Sequence, residues 1–238
     1  MQSQVPVLSP REEFRHGVGK AVPIMLGYVA LAIAYGVLAR EAGLTLWETM
    51  AMSTFVYAGA SQFIATGMFA AAMDPWTIIA TTFLVNLRHI LMSASLVRYV
   101  RKLRFFDLAL LGTGITDETF ALNSTEYAQR QRHHFFMYGT NLASYLAWNT
   151  GSLIGALSGT IVPGLDRLPL DFALPAMFIS LLVVQVKDRL LLGTALIAGA
   201  LSITGAMLVE GNWNIILATI LAASIATGWE RWKRSGSS

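Results

Sequence analysis

The sequence predicts an all-α polytopic membrane protein, and three observations carry that prediction. Of 238 residues, 55% are hydrophobic and only 13% charged, against roughly 25% charge in a soluble domain. Such a chain lacks the polar residues to cover a globule in water. Uncharged runs at Ala21–Ala39, Thr49–Met73, Phe135–Leu165, Leu190–Val209 and Gly211–Trp229 approach or exceed the roughly 20 residues that cross a bilayer. Between the runs, basic residues gather at Arg11–Lys20, Arg98–Arg104, Arg130–His134, Lys187–Arg189 and Arg231–Arg234. A net charge of +3 is too small to argue for nucleic acid, so topology is the better explanation of the excess.

Basic flanks favour the cytoplasm, and that rule orders the elements. With the N-terminus inside, Ala21–Ala39 crosses outward and leaves Arg40-Glu41, nearly neutral, outside. Returning Arg98–Arg104 to the cytoplasm requires an odd number of crossings, yet two apolar segments, 45–73 and 75–97, lie between. Segment 45–73 is broken at Ala58-Gly59-Ala60-Ser61-Gln62-Phe63, so it is expected to be a hairpin re-entering from outside. The same parity conflict arises at Phe105–Leu122, interrupted by Gly112-Thr113-Gly114-Ile115-Thr116-Asp117-Glu118-Thr119-Phe120. It is expected to be a second broken segment, dipping in from the cytoplasm. Non-helical backbone at membrane depth is tolerated only where protein or a wet cavity satisfies it.

The remaining segments then alternate: Phe135–Ile161 outward, Leu168–Val186 inward, Leu190–Val209 outward, Asn212–Trp229 inward. The expectation is about six full spans plus two opposed broken segments, with both termini cytoplasmic. Residues 1–20 form a polar arm without a signal-peptide core, 21–230 a single transport domain and 231–238 a tail. Opposed half-membrane segments are a common transporter plan, often arising from inverted repeats. Faint echoes of duplication exist: Phe14-Arg15-His16-Gly17 against Phe136-Met137-Tyr138-Gly139, and Gly43-Leu44 against Gly164-Leu165.

Chemistry concentrates at the interruptions. Asn86-x-Arg88-His89 sits inside an apolar run, where an ionised side chain costs about 2.5–3.5 kcal/mol on insertion scales and usually faces a protein interior or a watery path. Arg88 would hold a carboxylate by a planar two-point contact, or pair permanently with Asp117 or Glu118. His89 is a candidate proton carrier. Asp117-Glu118-Thr119 would take an ammonium or a proton, while Thr116-Asp117-Glu118 also reads as a capped helix start. Around Gly59-Ala60-Ser61-Gln62 the freed amides of a half-helix start suit a carboxylate. Asn141, Tyr145, Trp148 and Asn149 share one helical face, followed by Gly151, Gly155 and Gly159 as a small-residue packing seam. Trp76, Trp213, Trp229 and Trp232 read as interfacial anchors, and Pro23, Pro169 and Pro175 as helix starts or kinks.

The substrate-binding candidates are therefore Ser61, Gln62, Asn86, Arg88, Asp117, Glu118, Thr119 and Asn141, with His89, Asp117 and Glu118 as proton-coupling candidates. Phe55, Phe63, Phe83 and Met92 are available as an apolar wall. No cofactor, metal or catalytic residue is expected. Cysteine is absent, no HExxH or phosphate-binding glycine-lysine loop appears, and three of the four histidines lie in charged flanks.

Phe14-Arg15-x-Gly17 with Pro23, Ala58-Gly59-Ala60-Ser61-Gln62-Phe63, Asn86-Leu87-Arg88-His89-x-Leu91-Met92, Thr116-Asp117-Glu118-Thr119-Phe120 and Leu174-Pro175-Ala176-Met177-Phe178 together resemble the AzlC/YgaZ family, in order and over nearly the whole chain. The resemblance implies the large subunit of a two-component bacterial inner-membrane exporter of valine, leucine and isoleucine, with methionine a further candidate. It also implies a small hydrophobic AzlD/YgaH-type partner. Uphill export without a nucleotide site points to the proton gradient. A passive channel for a small polar solute and a structural subunit without a substrate site are the competing readings.

Overall fold

The computed structural model describes residues 9–158 and 189–208, with isolated positions at 172, 175, 176, 179, 182, 183, 186, 221, 224, 225 and 228. Contacts group the chain into two units, Met1–Met177 and Phe178–Ser238. In the first lie α1 (Pro10–Glu41), α2 (Leu46–Ala51, running into a π-helical turn at Met52–Val56), α3 (Gly59–Ala70), α4 (Pro75–Asn86), α5 (Arg88–Val100), α6 (Phe105–Thr113), α7 (Asp117–Gln129) and α8 (His134–Ser158). The second contains α9 (Arg189–Leu208). All regular structure among the described residues is helical.

Two helices there are long and apolar enough to cross a bilayer: Pro10–Glu41 and the α4–α5 rod, Pro75–Val100. Helices α8 and α9 occupy most of the predicted segments Phe135–Ile161 and Leu190–Val209. Predicted segments Leu168–Val186 and Asn212–Trp229, the tail, Trp213, Trp229, Trp232 and Pro169 lie wholly or largely outside the described residues. The N-terminal arm is described from residue 9 onward. Ser9 caps α1 in a full capping box with Glu12, Pro10 occupies the first turn, and the helix runs unbroken through Pro23 to Glu41. Residues 10–20 thus extend the first span as helix, because the start signals of a capping box and an early proline precede the apolar stretch.

Helices α1 and α8 form the spine. Gly17 lies against the Phe136 carbonyl and Gly139 against the Phe14 carbonyl; farther along, Gly36 meets Ser152 and Gly155 meets Ile33. Low numbers pair with low and high with high, so the two helices run parallel, each offering its glycine to the carbonyl three residues before the other's. This reciprocity is the physical content of the echo between Phe14–Gly17 and Phe136–Gly139. Gly151 joins the seam against Val29; Gly159 lies outside the described residues. A methyl group at any of these glycines would strike backbone, which is why small residues permit the approach.

Two helical hairpins lean on this spine from opposite ends. The first is α2–α3. Tyr35 donates to the Thr49 carbonyl at 3.1 Å, placing α2 beside the C-terminal half of α1. The chain runs to Tyr57, which turns in the left-handed region at φ 44°, and α3 comes back. Gln62 Nε2 then donates to Ser53 Oγ at 3.1 Å, and the Phe63 ring returns to 6.0 Å from Tyr35. The second is α6–α7. Asn141 Nδ2 donates to the Leu111 carbonyl at 3.0 Å on the outward arm, and Asn123 Nδ2 donates to Asn141 Oδ1 at 3.3 Å on the return. Both arms therefore flank the same level of α8, nearer its N-terminus. The breaks fall at Tyr57–Ala58 and Gly114–Thr116, inside or at the edge of the sequence interruptions.

The α4–α5 rod runs antiparallel to α1, from α3 to the base of α7, where the Tyr99 and Tyr127 rings lie 5.3 Å apart. It was expected as a plain crossing, yet it hinges at Leu87. The Asn86 carbonyl pairs with His89 Nδ1 at 3.0 Å, and the Ile90 N–H bonds Leu87 instead of Asn86. A side chain inserted into the backbone ladder is a recognised cause of helix kinks.

Candidate functional site at the hairpin tips

The two hairpin tips and the hinge converge. One small open cavity is lined by Tyr28 of α1, Tyr57–Ala60 of the first tip, Arg88 and His89 of the hinge, Thr116–Glu118 of the second tip and Trp148 of α8. Tyr28 and Trp148 are mid-helix residues of the spine, so the cavity lies midway along the first unit.

Each tip contributes through its local structure. Helix α3 starts at Gly59 after Ala58, with no side-chain cap. Its first amides lack intrahelical partners, and Gly59 and Ala60 are among the residues lining the cavity. A Cβ on Gly59 would sit 2.7 Å from the Trp148 ring, so glycine is what allows this backbone into the site. The ring itself is held by an Nε1–H bond to Gln62 Oε1 at 3.0 Å and by the edge of Tyr28, centroids 5.2 Å apart. Helix α7 starts differently: Thr116 caps it in a reciprocal box with Thr119, which leaves Asp117 and Glu118 in its first turn, where the helix dipole favours anions.

The two carboxylates then take different partners. Arg88 Nη1 pairs with Asp117 Oδ2 at 3.0 Å. Glu118 accepts from Tyr28 Oη at 2.6 Å, and the same hydroxyl lies 2.5 Å from Thr116 Oγ1. Among the described residues no cation pairs with Glu118. Tyr57 Oη and Arg88 Nε are buried without a hydrogen-bond partner, and Tyr57 is only 5% exposed. Buried polar atoms are nearly always satisfied, and these two belong to residues lining the cavity.

Of the expected residues, Arg88, His89, Asp117 and Glu118 meet at the cavity. Ser61, Gln62, Asn86, Thr119 and Asn141 stand behind its wall, with hydrogen bonds of their own. Ser61 donates to Asn86 Oδ1 at 2.5 Å, Gln62 joins Ser53 to Trp148, Thr119 closes the α7 cap through the Gly114 carbonyl, and Asn141 bridges the arms of the second hairpin. Of the expected apolar wall, Phe55 and Phe83 are exposed and Met92 sits in another buried cluster, while Phe63 packs in the same cluster as Tyr28, Tyr57 and Trp148 without lining the cavity. The cavity's apolar surface comes from Tyr28, Tyr57, Ala58, Ala60 and Trp148. Tyr28 and Tyr57 were missed, although a hydroxyl inside an apolar run and a tyrosine just before the Ala58-Gly59 break were visible signals. Among the described residues no group of acidic and histidine side chains is arranged to hold a metal.

Comparison with known proteins settles the lineage. The AzlC protein family matches residues 23–162, which contain α1 from Pro23 onward, α8, both hairpins and the hinge. The chain belongs to the AzlC family. It is 33% identical over 210 residues to the inner membrane protein YgaZ of Escherichia coli, covering 85% of this chain and 86% of that one. It is 34% identical over 226 residues to an uncharacterized membrane protein of Archaeoglobus fulgidus, covering 94% and 98%. It is 29% identical over 215 residues to the branched-chain amino acid transport protein AzlC of Bacillus subtilis, covering 90% and 84%. No solved structure matches.

Proposed function

We propose that this AzlC-family chain is the large subunit of a two-component bacterial inner-membrane exporter of branched-chain amino acids. Valine, leucine and isoleucine are its substrates, and methionine is a further candidate. The observation that carries the proposal is the meeting of two oppositely directed hairpin tips and a hinged rod in one cavity bearing Arg88, Asp117 and Glu118. Ionisable groups at such depth usually line a substrate or ion path, and broken helices pointing at each other are a recurrent transporter plan. The Bacillus subtilis relative, whose name specifies branched-chain amino acid transport, supports the substrate class.

In this reading the hairpins are re-entrant half-membrane segments and about six spans cross fully. Both termini are cytoplasmic, and residues 21–230 form one transport domain. Export proceeds by alternating access, in which the tips move against the α1–α8 spine to open the cavity to one side and then the other. Protons supply the driving force, with His89 and the two carboxylates as the titrating groups. A small AzlD/YgaH-type membrane protein completes the transporter.

Co-reconstitution with that partner in proteoliposomes should give leucine accumulation against its gradient when a proton gradient is imposed. Arg88→Gln, Asp117→Asn and Glu118→Gln should each abolish accumulation while remaining monodisperse in detergent. Full activity in all three variants would discard this site, and leucine that only equilibrates would make the protein a channel.

A further inference from the structure

The cavity is polar in a directional sense, and its polarity orients the ligand. Its donors are the uncapped amides of Gly59 and Ala60 and the guanidinium of Arg88. On the acceptor side, Asp117 is already neutralised by Arg88 at 3.0 Å. Glu118 has no cation partner among the described residues and accepts from Tyr28 Oη at 2.6 Å. Tyr57, buried to 5% exposure, adds a hydroxyl with no partner. A helix start without a side-chain cap and an orphaned tyrosine hydroxyl on the same cavity wall together indicate a missing hydrogen-bonding ligand.

We propose that an amino-acid zwitterion binds here in one orientation, with its carboxylate at the α3 start and Arg88 and its ammonium on Glu118. Tyr28 is a positioning residue that aims Glu118, and Tyr57 donates to the bound ligand. This assignment rests on the amino-acid reading above and narrows it. Asp117 serves as the counter-ion of Arg88 and does not touch the ammonium. A buried cation and carboxylate each lose water's stabilisation, so each ligand charge must meet its complement. A ligand lacking either charged group leaves one pole of the site unpaired.

The test uses three ligands of similar shape: leucine, leucinamide (no carboxylate) and 4-methyl-2-oxopentanoate (no ammonium). Their binding is measured on the purified full chain with its partner subunit. Native protein should prefer leucine at least tenfold over both analogues. Glu118→Gln should erase the preference over the keto acid while keeping the preference over leucinamide, the non-additivity expected of groups in direct contact. Tyr28→Phe, which keeps the carboxylate, should weaken leucine several-fold and leave the keto acid unchanged, a split that a merely structural role would not produce. Tyr57→Phe should weaken leucine several-fold. Equal weakening of leucine and keto acid in both Glu118→Gln and Tyr28→Phe, or loss of the preference over leucinamide instead, overturns the orientation and leaves amino-acid transport standing. Native protein that binds none of the three overturns both.

Discussion

The two hairpins use the same backbone device to opposite chemical ends. Hairpin α2–α3 turns through a left-handed tyrosine and restarts as an uncapped helix, presenting amide donors. Hairpin α6–α7 restarts on a complete Thr116–Thr119 box, which satisfies the amides of those two residues, and its first turn carries two carboxylates, Asp117 and Glu118. Their bases differ as well. Lys20 Nζ reaches Glu126 Oε1 at 2.8 Å, and Arg132, its side chain 1% exposed, bridges Glu126 at 2.5 Å and Glu13 at 3.4 Å. This ties the return arm of the second hairpin to α1 and to the start of α8. The first hairpin is tied without an ion pair among the described residues: Ser53 Oγ to Ser152 Oγ at 2.7 Å and Tyr145 Oη to the Thr54 carbonyl at 3.0 Å, while Arg40 Nη1 donates to the Leu44 carbonyl at 2.6 Å ahead of it.

Breaking the charged base should have the largest effect. Arg132→Met removes the cation beside buried Glu13 and leaves Glu126 to Lys20 and Arg130, and removing one partner of a buried pair typically costs about 3 kcal/mol or more. Thermal unfolding in detergent should show a large loss, and an unchanged melting temperature would mean that the cluster ties nothing together. Next comes the close approach at the first tip. Gly59→Ala drives a methyl into the Trp148 ring, and overpacking of this kind costs about 1–3 kcal/mol. Leucine binding should fall with stability, because the displaced indole borders the cavity. Smallest is the cap at the second tip. Thr116→Ala should cost about 1 kcal/mol and release Tyr28 Oη to Glu118 alone. A loss larger than that of Arg132→Met would reverse the ranking of tip and base.

Several parts of this architecture could be read locally. Hydropathy marked the long helices, and Gly-, Ser- and Thr-containing stretches marked both breaks to within a few residues. Thr116 announced the start of α7, since a cap and its box act over three residues. The hinge at Leu87 could not be read in that way: Asn86, His89 and Leu87 carry no helix-breaking signal until the imidazole takes a backbone carbonyl. Site residues divided along the same line. Arg88, His89, Asp117 and Glu118 were conspicuous because charge in an apolar run is costly wherever the chain folds. Ser61, Gln62, Asn86, Thr119 and Asn141 looked equally suitable, yet packing gave each a partner inside the scaffold.

What the sequence alone determined was which segments are apolar, where they break and which ionisable groups they must bury, because these follow from transfer free energy and short-range capping. Only the tertiary structure decided that Arg88 takes Asp117 and leaves Glu118 to Tyr28. Neighbouring residues at a helix start point about 100° apart, and the choice between them depends on what packs at each azimuth. Tyr28 reaches Glu118 across 90 positions of chain, a pairing set by the glycine seam that holds α1 against α8 and by the hairpins that lean on it.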